Sequence, residues 1–198
     1  MFSKNRIKSL LSRPEFSALA IFIFLIVVFT FVNDRFLNSR NFMVILSTYP
    51  ELALVALGIT ILMISGEFDL SVGSVFAVSP IVTMILIADY EIHYIVSILL
   101  GLLAAAFIGL INAIVTVKFK IPSFIATLGM LFMARSIAVV ISGGFPPSVP
   151  KDLPTDWLVG RVDMLRVSIF WLIGIALICN YMLKKTNFGS WIYATGEN

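Results

Sequence analysis

Long apolar runs, interrupted at short intervals by glycine, proline and charge, set the pattern of the chain. Six of them approach the roughly 20 residues that a helix rising 1.5 Å per residue needs to cross a hydrocarbon layer. They cover residues 16–32, 43–65, 72–88, 94–117, 121–142 and 167–183. The breaks at 33–41, 66–71, 89–93, 118–120 and 143–166, and the segment from Lys184 onward, hold the charges and turn formers. The pattern predicts an all-α membrane protein, a polytopic helix bundle with about six transmembrane helices. The run 16–32 follows a basic start (Lys4, Arg6, Lys8, Arg13), but it is longer than the core of a signal peptide. No small-residue cleavage site follows it at Asn33-Asp34-Arg35-Phe36, so it reads as a retained first helix.

Composition sharpens this picture. Of the 198 residues 60% are hydrophobic and 13% charged, which leaves too little polar surface to coat a soluble globule. The net charge of +3 does not point to nucleic acid, because Lys and Arg sit in short clusters beside apolar runs and form no basic stripe. With the basic N-terminus placed in the cytoplasm, Lys118, Lys120, Lys184 and Lys185 also fall inside and the acidic Asp89 and Glu91 outside, as the positive-inside rule expects. Arg35, Arg40, Lys151, Arg161 and Arg166 run against that bias. The single cysteine, Cys179, builds no disulfide or multi-cysteine metal site, and His93 has no partner at ligand spacing. Without a Ser-His-Asp set, a P-loop or a dinucleotide fingerprint, the chain reads as a non-enzyme that needs no metal or cofactor; any ATP is bound elsewhere.

Charges at bilayer depth are costly and call for an explanation. Glu51, after the kink-permitting Pro50, and Arg135, past the middle of the fifth run, are the two clear cases. Each is open to two readings, a polar lining for a solute pathway or a structural ion pair; for Arg135 the second includes snorkelling to the outer interface. Asn112, Thr127 and Ser136 are milder candidates that also suit interhelical hydrogen bonds. Gly101, Ala105, Gly109 and Ala113 form a small-residue stripe that predicts close helix packing. The stretch 143–166 contains Pro146, Pro147, Pro150 and Pro154, a density that argues against a regular helix or central strand and for an irregular outer loop, either a connector or a docking surface. The break Gly66-Glu67-Phe68-Asp69-Leu70-Ser71 sets two acids between two apolar runs. Gly66 can end one helix, and Asp69 or Ser71 can cap the next. Capping does not require Glu67, which leaves room for a re-entrant turn in contact with a solute or a neighbouring subunit.

In chain order these segments resemble the ribose-type sugar permeases of bacterial ABC importers, a family related to branched-chain amino-acid permeases. The matching stretches are Ala56-Leu57-Gly58 leading into Ser65-Gly66-Glu67-Phe68-Asp69-Leu70-Ser71-Val72-Gly73-Ser74-Val75, then Gly109-Leu110-Ile111-Asn112-Ala113. They continue through Ile121-Pro122-Ser123-Phe124-Ile125-Ala126-Thr127-Leu128-Gly129-Met130 with Ala134-Arg135, and end in Asn187-Phe188-Gly189 and Tyr193-Ala194-Thr195-Gly196-Glu197-Asn198. At Glu197 the family usually has a second glycine, so the local backbone there is expected to differ.

The resemblance implies a membrane-spanning permease subunit for ribose or another monosaccharide in the bacterial inner membrane. Its expected partners are a cytoplasmic ABC ATPase, a second permease subunit in a homo- or heterodimer, a periplasmic or lipid-anchored solute-binding protein, and membrane lipid. On this basis residues 1–198 are expected to be one transmembrane permease domain, the N-terminal part of a longer permease fold, with 184–198 as the start of a cytoplasmic coupling loop. The pathway candidates are then Glu51, Asn112, Thr127 and Arg135. Gly66, Glu67, Asp69, Ser71 and Gly73 form the signature turn, and Gly189, Tyr193, Gly196 and Asn198 belong to ATPase coupling. Two other classes stay open: a secondary transporter whose coupling proton rides on Glu51, Glu67 or Asp69, and a non-transporting accessory membrane protein.

Overall fold

The computed structural model describes residues 14–150, 153–162 and 165–197. The basic start at Lys4, Arg6, Lys8 and Arg13, and Lys151 and Asn198, lie outside the described residues. All six apolar runs are helical. In chain order the helices are α1 (Pro14–Val32), α2 (Ser39–Thr48), α3 (Pro50–Ile64), α4 (Val72–Ala88), α5 (Tyr94–Val117), α6 (Ser123–Ile141), α7 (Asp156–Val159), α8 (Ser168–Lys185) and α9 (Asn187–Gly196). A two-residue hairpin, β1 (Arg161–Val162) and β2 (Leu165–Arg166), stands between α7 and α8 with Arg161 opposite Arg166.

Among the described residues α5, α6 and α8 are long and apolar enough to cross a membrane, and α2 with α3 makes a fourth span if that bent pair counts as one. The apolar parts of α1 and α4 reach 17 residues, the short end of the spanning range. The second run is broken more sharply than a kink. Pro50 has no N–H to continue the ladder of α2, so the chain restarts as α3 with Pro50 at its first position and the two helices meet at 53°. The proline-dense segment is also more ordered than its sequence suggests. Its prolines all precede Thr155, and past them the chain is free to form one helical turn and the hairpin. Trp171 Nε1 then donates to the Trp157 carbonyl at 3.0 Å, and the two rings meet edge to face, which ties the loop to α8.

Packing falls into two groups. α4, α5 and α6 share a core of Val78, Ile108, Met130, Ala134 and Ala138, while α3 packs against α8 and α9. The buried face of α5 is Ser97, Gly101, Ile108 and Asn112. A Cβ on Gly101 would overlap Thr83 Oγ1 and the Ser79 carbonyl, so this glycine allows α4 and α5 their close approach. Further along, the expected stripe turns away, Ala105 being half-buried. Gly109 and Ala113 are exposed, because a spacing of four drifts about 40° per step round a 3.6-residue helix. Large apolar side chains stay exposed along every long helix, Phe24 on α1, Phe107 on α5, Phe132 on α6 and Ile178 on α8 among them, as a lipid-facing surface requires.

Candidate functional site

The turn between α3 and α4 is the most densely bonded polar region among the described residues. α3 ends in a Schellman arrangement: Gly66 takes the left-handed φ of +83°, its N–H donates to the Met63 carbonyl at 3.1 Å, and the Glu67 N–H donates to the Leu62 carbonyl at 3.3 Å. From there the backbone is held by side chains of α6. The Phe68 N–H donates to Ser123 Oγ at 3.2 Å and the Leu70 N–H to Thr127 Oγ1 at 3.1 Å. Thr127 in turn donates to the Ser123 carbonyl at 2.7 Å, so one face of α6, two residues a turn apart, cradles the turn.

The next bonds reach α5. Asp69 Oδ1 accepts both the Ser71 N–H at 2.7 Å and the Ser71 hydroxyl at 2.6 Å, and Asn112 Nδ2 donates to Ser71 Oγ at 3.0 Å. Ser71 is fully buried, Asn112 7% exposed and Thr127 3% exposed, so the inner end of the network, the Asn112–Ser71 bond, is shielded from water and matters more than a bond at a surface, while Asp69 is half-buried. Ser71 therefore makes no side-chain cap on α4; its hydroxyl relays Asn112 to Asp69. Glu67 is half-buried and has no side-chain bond among the described residues, and Gly73 opens onto free space. The structure thus places Asn112 and Thr127 in the signature turn, together with Ser123, which the sequence had shown only as part of a matching block.

α9 lies against the same turn. Thr186 starts it, accepting the Gly189 N–H at 3.2 Å and donating to the Met182 carbonyl at 2.6 Å. A Cβ on Gly189 would overlap the Leu183 carbonyl, and one on Gly196 would overlap the Ile64 carbonyl, so glycine sets both the α8–α9 corner and the seat of α9 on the end of α3. Gly66 faces the Gly196 Cα from the other side. Tyr193 is exposed on α9, and Glu197 has ordinary right-handed angles (φ −83°, ψ −10°), so no glycine is needed where the family usually has one.

Glu51 and Arg135 lie apart from this network and from each other. Glu51, in the first turn of α3, pairs with Arg166 of β2 at 3.0 Å. Its Oε2 and the hydroxyl of the neighbouring Ser168 are both buried and, apart from each other, have no partner among the described residues. Arg166 counted in the sequence only as a charge against the topological bias; its role as partner could not be read there. Arg135 is exposed on α6 and has no ion-pair partner among the described residues. It borders a crevice of about 400 Å³ between α4 and α6, beside Gly73, Ser74, Ala77, Ala138 and Ser142. A second cavity of about 230 Å³ begins at Ser142 and is lined by Ala88, Asp89, Pro147 and Ser148. Ser136 is exposed on α6, and His93 is exposed beside Tyr94. Among the described residues no cluster of His, Cys, Asp and Glu could hold a metal ion.

Residues 41–198, which take in the turn, the α6 cradle and α9, match the model of the branched-chain amino acid transport system / permease component family. The chain belongs to this family. Similar curated proteins include the xylose/arabinose import permease protein XylH of Sulfolobus acidocaldarius, 33% identical over 97% of this chain and 55% of the relative. The autoinducer 2 import system permease protein LsrC of Escherichia coli is 32% identical over 97% of the chain and 56% of its own length. The ribose import permease protein RbsC of Escherichia coli is 29% identical over 93% and 58%. The chain spans about half the length of the curated relatives it matches. No solved structure matches it. Family membership and the exposed apolar helices together make it a membrane protein of the permease class.

Proposed function

We propose that this chain forms part of the pathway subunit of an ATP-driven importer of a monosaccharide or related polyol, set in the cytoplasmic membrane with its N-terminus inside. The relatives named for xylose/arabinose, ribose and autoinducer 2 import support the solute class. The observation that carries the reading is the seat of α9 on the signature turn. α9 follows directly on α8, whose last turn carries Lys184 and Lys185, as a cytoplasmic helix end would. Its Gly196 rests on the Ile64 carbonyl, and the turn beyond is bonded to α4, α5 and α6. A push on α9 from a cytoplasmic ATPase is thereby delivered to three helices at once, through contacts that have little slack. A second permease subunit and a soluble or lipid-anchored binding protein complete the assembly.

The test is uptake of labelled monosaccharides into cells that express the permease with its ATPase and binding protein. Uptake that needs a hydrolysis-competent ATPase is the expected result. Uptake driven by a proton gradient without the ATPase refutes the proposal in favour of secondary transport.

A further inference from the structure

The two cavities beside α6 share Ser142, so they run end to end along the seam between α4 and α6. Asp89 and Ser148 stand at one end of this seam, and Gly73 and Ser74, next to the signature turn, at the other. The distance along α4 from Gly73 to Asp89 is about 24 Å, most of the depth of a hydrocarbon core. Arg135 faces the seam between those ends, with Ala138 and Ser142 on the same side of α6. It lies about 9 Å short of the outer end of its helix and has no carboxylate beside it among the described residues. An unpaired guanidinium at that depth is tolerable where water or a polar solute reaches it.

The wall has a definite hydrogen-bonding character. Ser74 donates its hydroxyl proton to the Leu131 carbonyl at 2.9 Å, and Ser142 donates to the Val139 carbonyl at 3.3 Å. Both oxygens are left to face the seam as acceptors. Arg135 supplies only donors, up to five N–H groups in a planar fork. We propose that the α4–α6 seam is this chain's share of the solute route, with Arg135 as the residue that bars cations and donates hydrogen bonds to polyhydroxylated solutes. Neighbouring hydroxyls of such a solute accept from the guanidinium and donate to Ser74 and Ser142, while a cation meets repulsion at Arg135. The proposal rests on the importer reading and narrows it: the route excludes Asn112 and Thr127, whose side chains are committed to the turn.

Cysteine accessibility in membranes holding the assembled transporter tests this independently of uptake. Ser74→Cys and Ser142→Cys, made in a Cys179→Ser background, are treated with small anionic and cationic methanethiosulfonates of similar size. Val140→Cys and Phe132→Cys, both exposed on α6, are the controls. Because the reacting species is the thiolate, which needs water, the seam cysteines should react about tenfold or more faster than the controls. The anionic reagent should be favoured at Ser74→Cys, which shares its cavity with Arg135 and not with Asp89; that preference should vanish with Arg135→Gln and persist with Arg135→Lys. D-ribose should slow the reaction at Ser74→Cys if it is the imported solute, and Arg135→Gln should raise the KM for the imported monosaccharide by about tenfold. Seam cysteines as slow as the controls, or a charge preference indifferent to Arg135, overturn the proposal. The labelling pattern without any monosaccharide uptake supports the wet seam and counts against the importer reading alone.

Discussion

Ser71 is the point at which the signature turn can be broken with a single atom. Ser71→Ala removes an oxygen that donates to Asp69 at 2.6 Å and accepts from Asn112 at 3.0 Å, but leaves the Ser71 N–H bond to Asp69 in place. In aqueous proteins a hydrogen bond to a charged group contributes about 1.5–3 kcal/mol, and an amide left buried without a partner costs about 1–3 kcal/mol. Side-chain bonds measured within membranes are weaker, about 0.6 kcal/mol on average and up to about 1.7. With Ser71 fully buried and Asn112 nearly so, the expected loss lies between these scales, about 2–3 kcal/mol. Asn112→Ala removes one of the same two bonds, so the double variant should lose about 1 kcal/mol less than the sum of the singles. The assay is reversible unfolding of the parent, both singles and the double in mixed micelles titrated with a denaturing detergent. Losses that add to within about 0.3–0.5 kcal/mol would show that the Asn112–Ser71 bond contributes nothing and refute the relay.

Other substitutions probe the remaining contacts. Gly196→Ala sets a methyl group against the Ile64 carbonyl and should lift α9 off the turn, an overpacking strain of about 1–3 kcal/mol, so that ATP hydrolysis by the assembled transporter continues while uptake falls; parental uptake would show that this contact does not transmit. Gly101→Ala should destabilise the α4–α5 pair by about 1–3 kcal/mol in the same unfolding assay. Gly109→Ala, with nothing near its Cβ, should be neutral or stabilise α5 by about 0.5–1 kcal/mol, and equal effects of the two changes would contradict the observed register. A double-mutant cycle on Glu51 and Arg166, each about a third exposed, should give a coupling below about 1 kcal/mol. A coupling of about 3 kcal/mol or more would mean that the pair is dehydrated in the assembled protein.

The spans were legible because lipid imposes one rule on every helix, so apolar length alone locates them, and Pro50 marked the place where the second must bend. Gly66 likewise announced the end of α3, since the left-handed residue of such a terminus favours glycine. Partners across the fold were not legible. Asn112 and Thr127 are polar residues on apolar helices, and nothing local says whether such a side chain faces a solute or a loop some forty to sixty residues away. Arg166 meets Glu51 across 115 residues, and its sign against the topological bias gave no hint of that. The small-residue stripe misled because sequence spacing fixes an angle round a helix but not which sector meets a neighbour, and of its two glycines only Gly101 meets α4.

The division into two packing groups bears on the order in which the chain can assemble as it is synthesised. α4, α5 and α6 follow one another through connections of a few residues, so this unit can close as soon as its third helix has entered the bilayer. α3 is made earlier but finds its partners, α8, α9 and Arg166, only about a hundred residues later. Until then its polar start at Glu51 and its glycine-lined end have no neighbour among these later elements, and the helix must be shielded by lipid or by the insertion machinery. The seat of α9 on the turn is thus both a mechanical contact and, among the described elements, a latch that shuts well after the α4–α6 unit has closed.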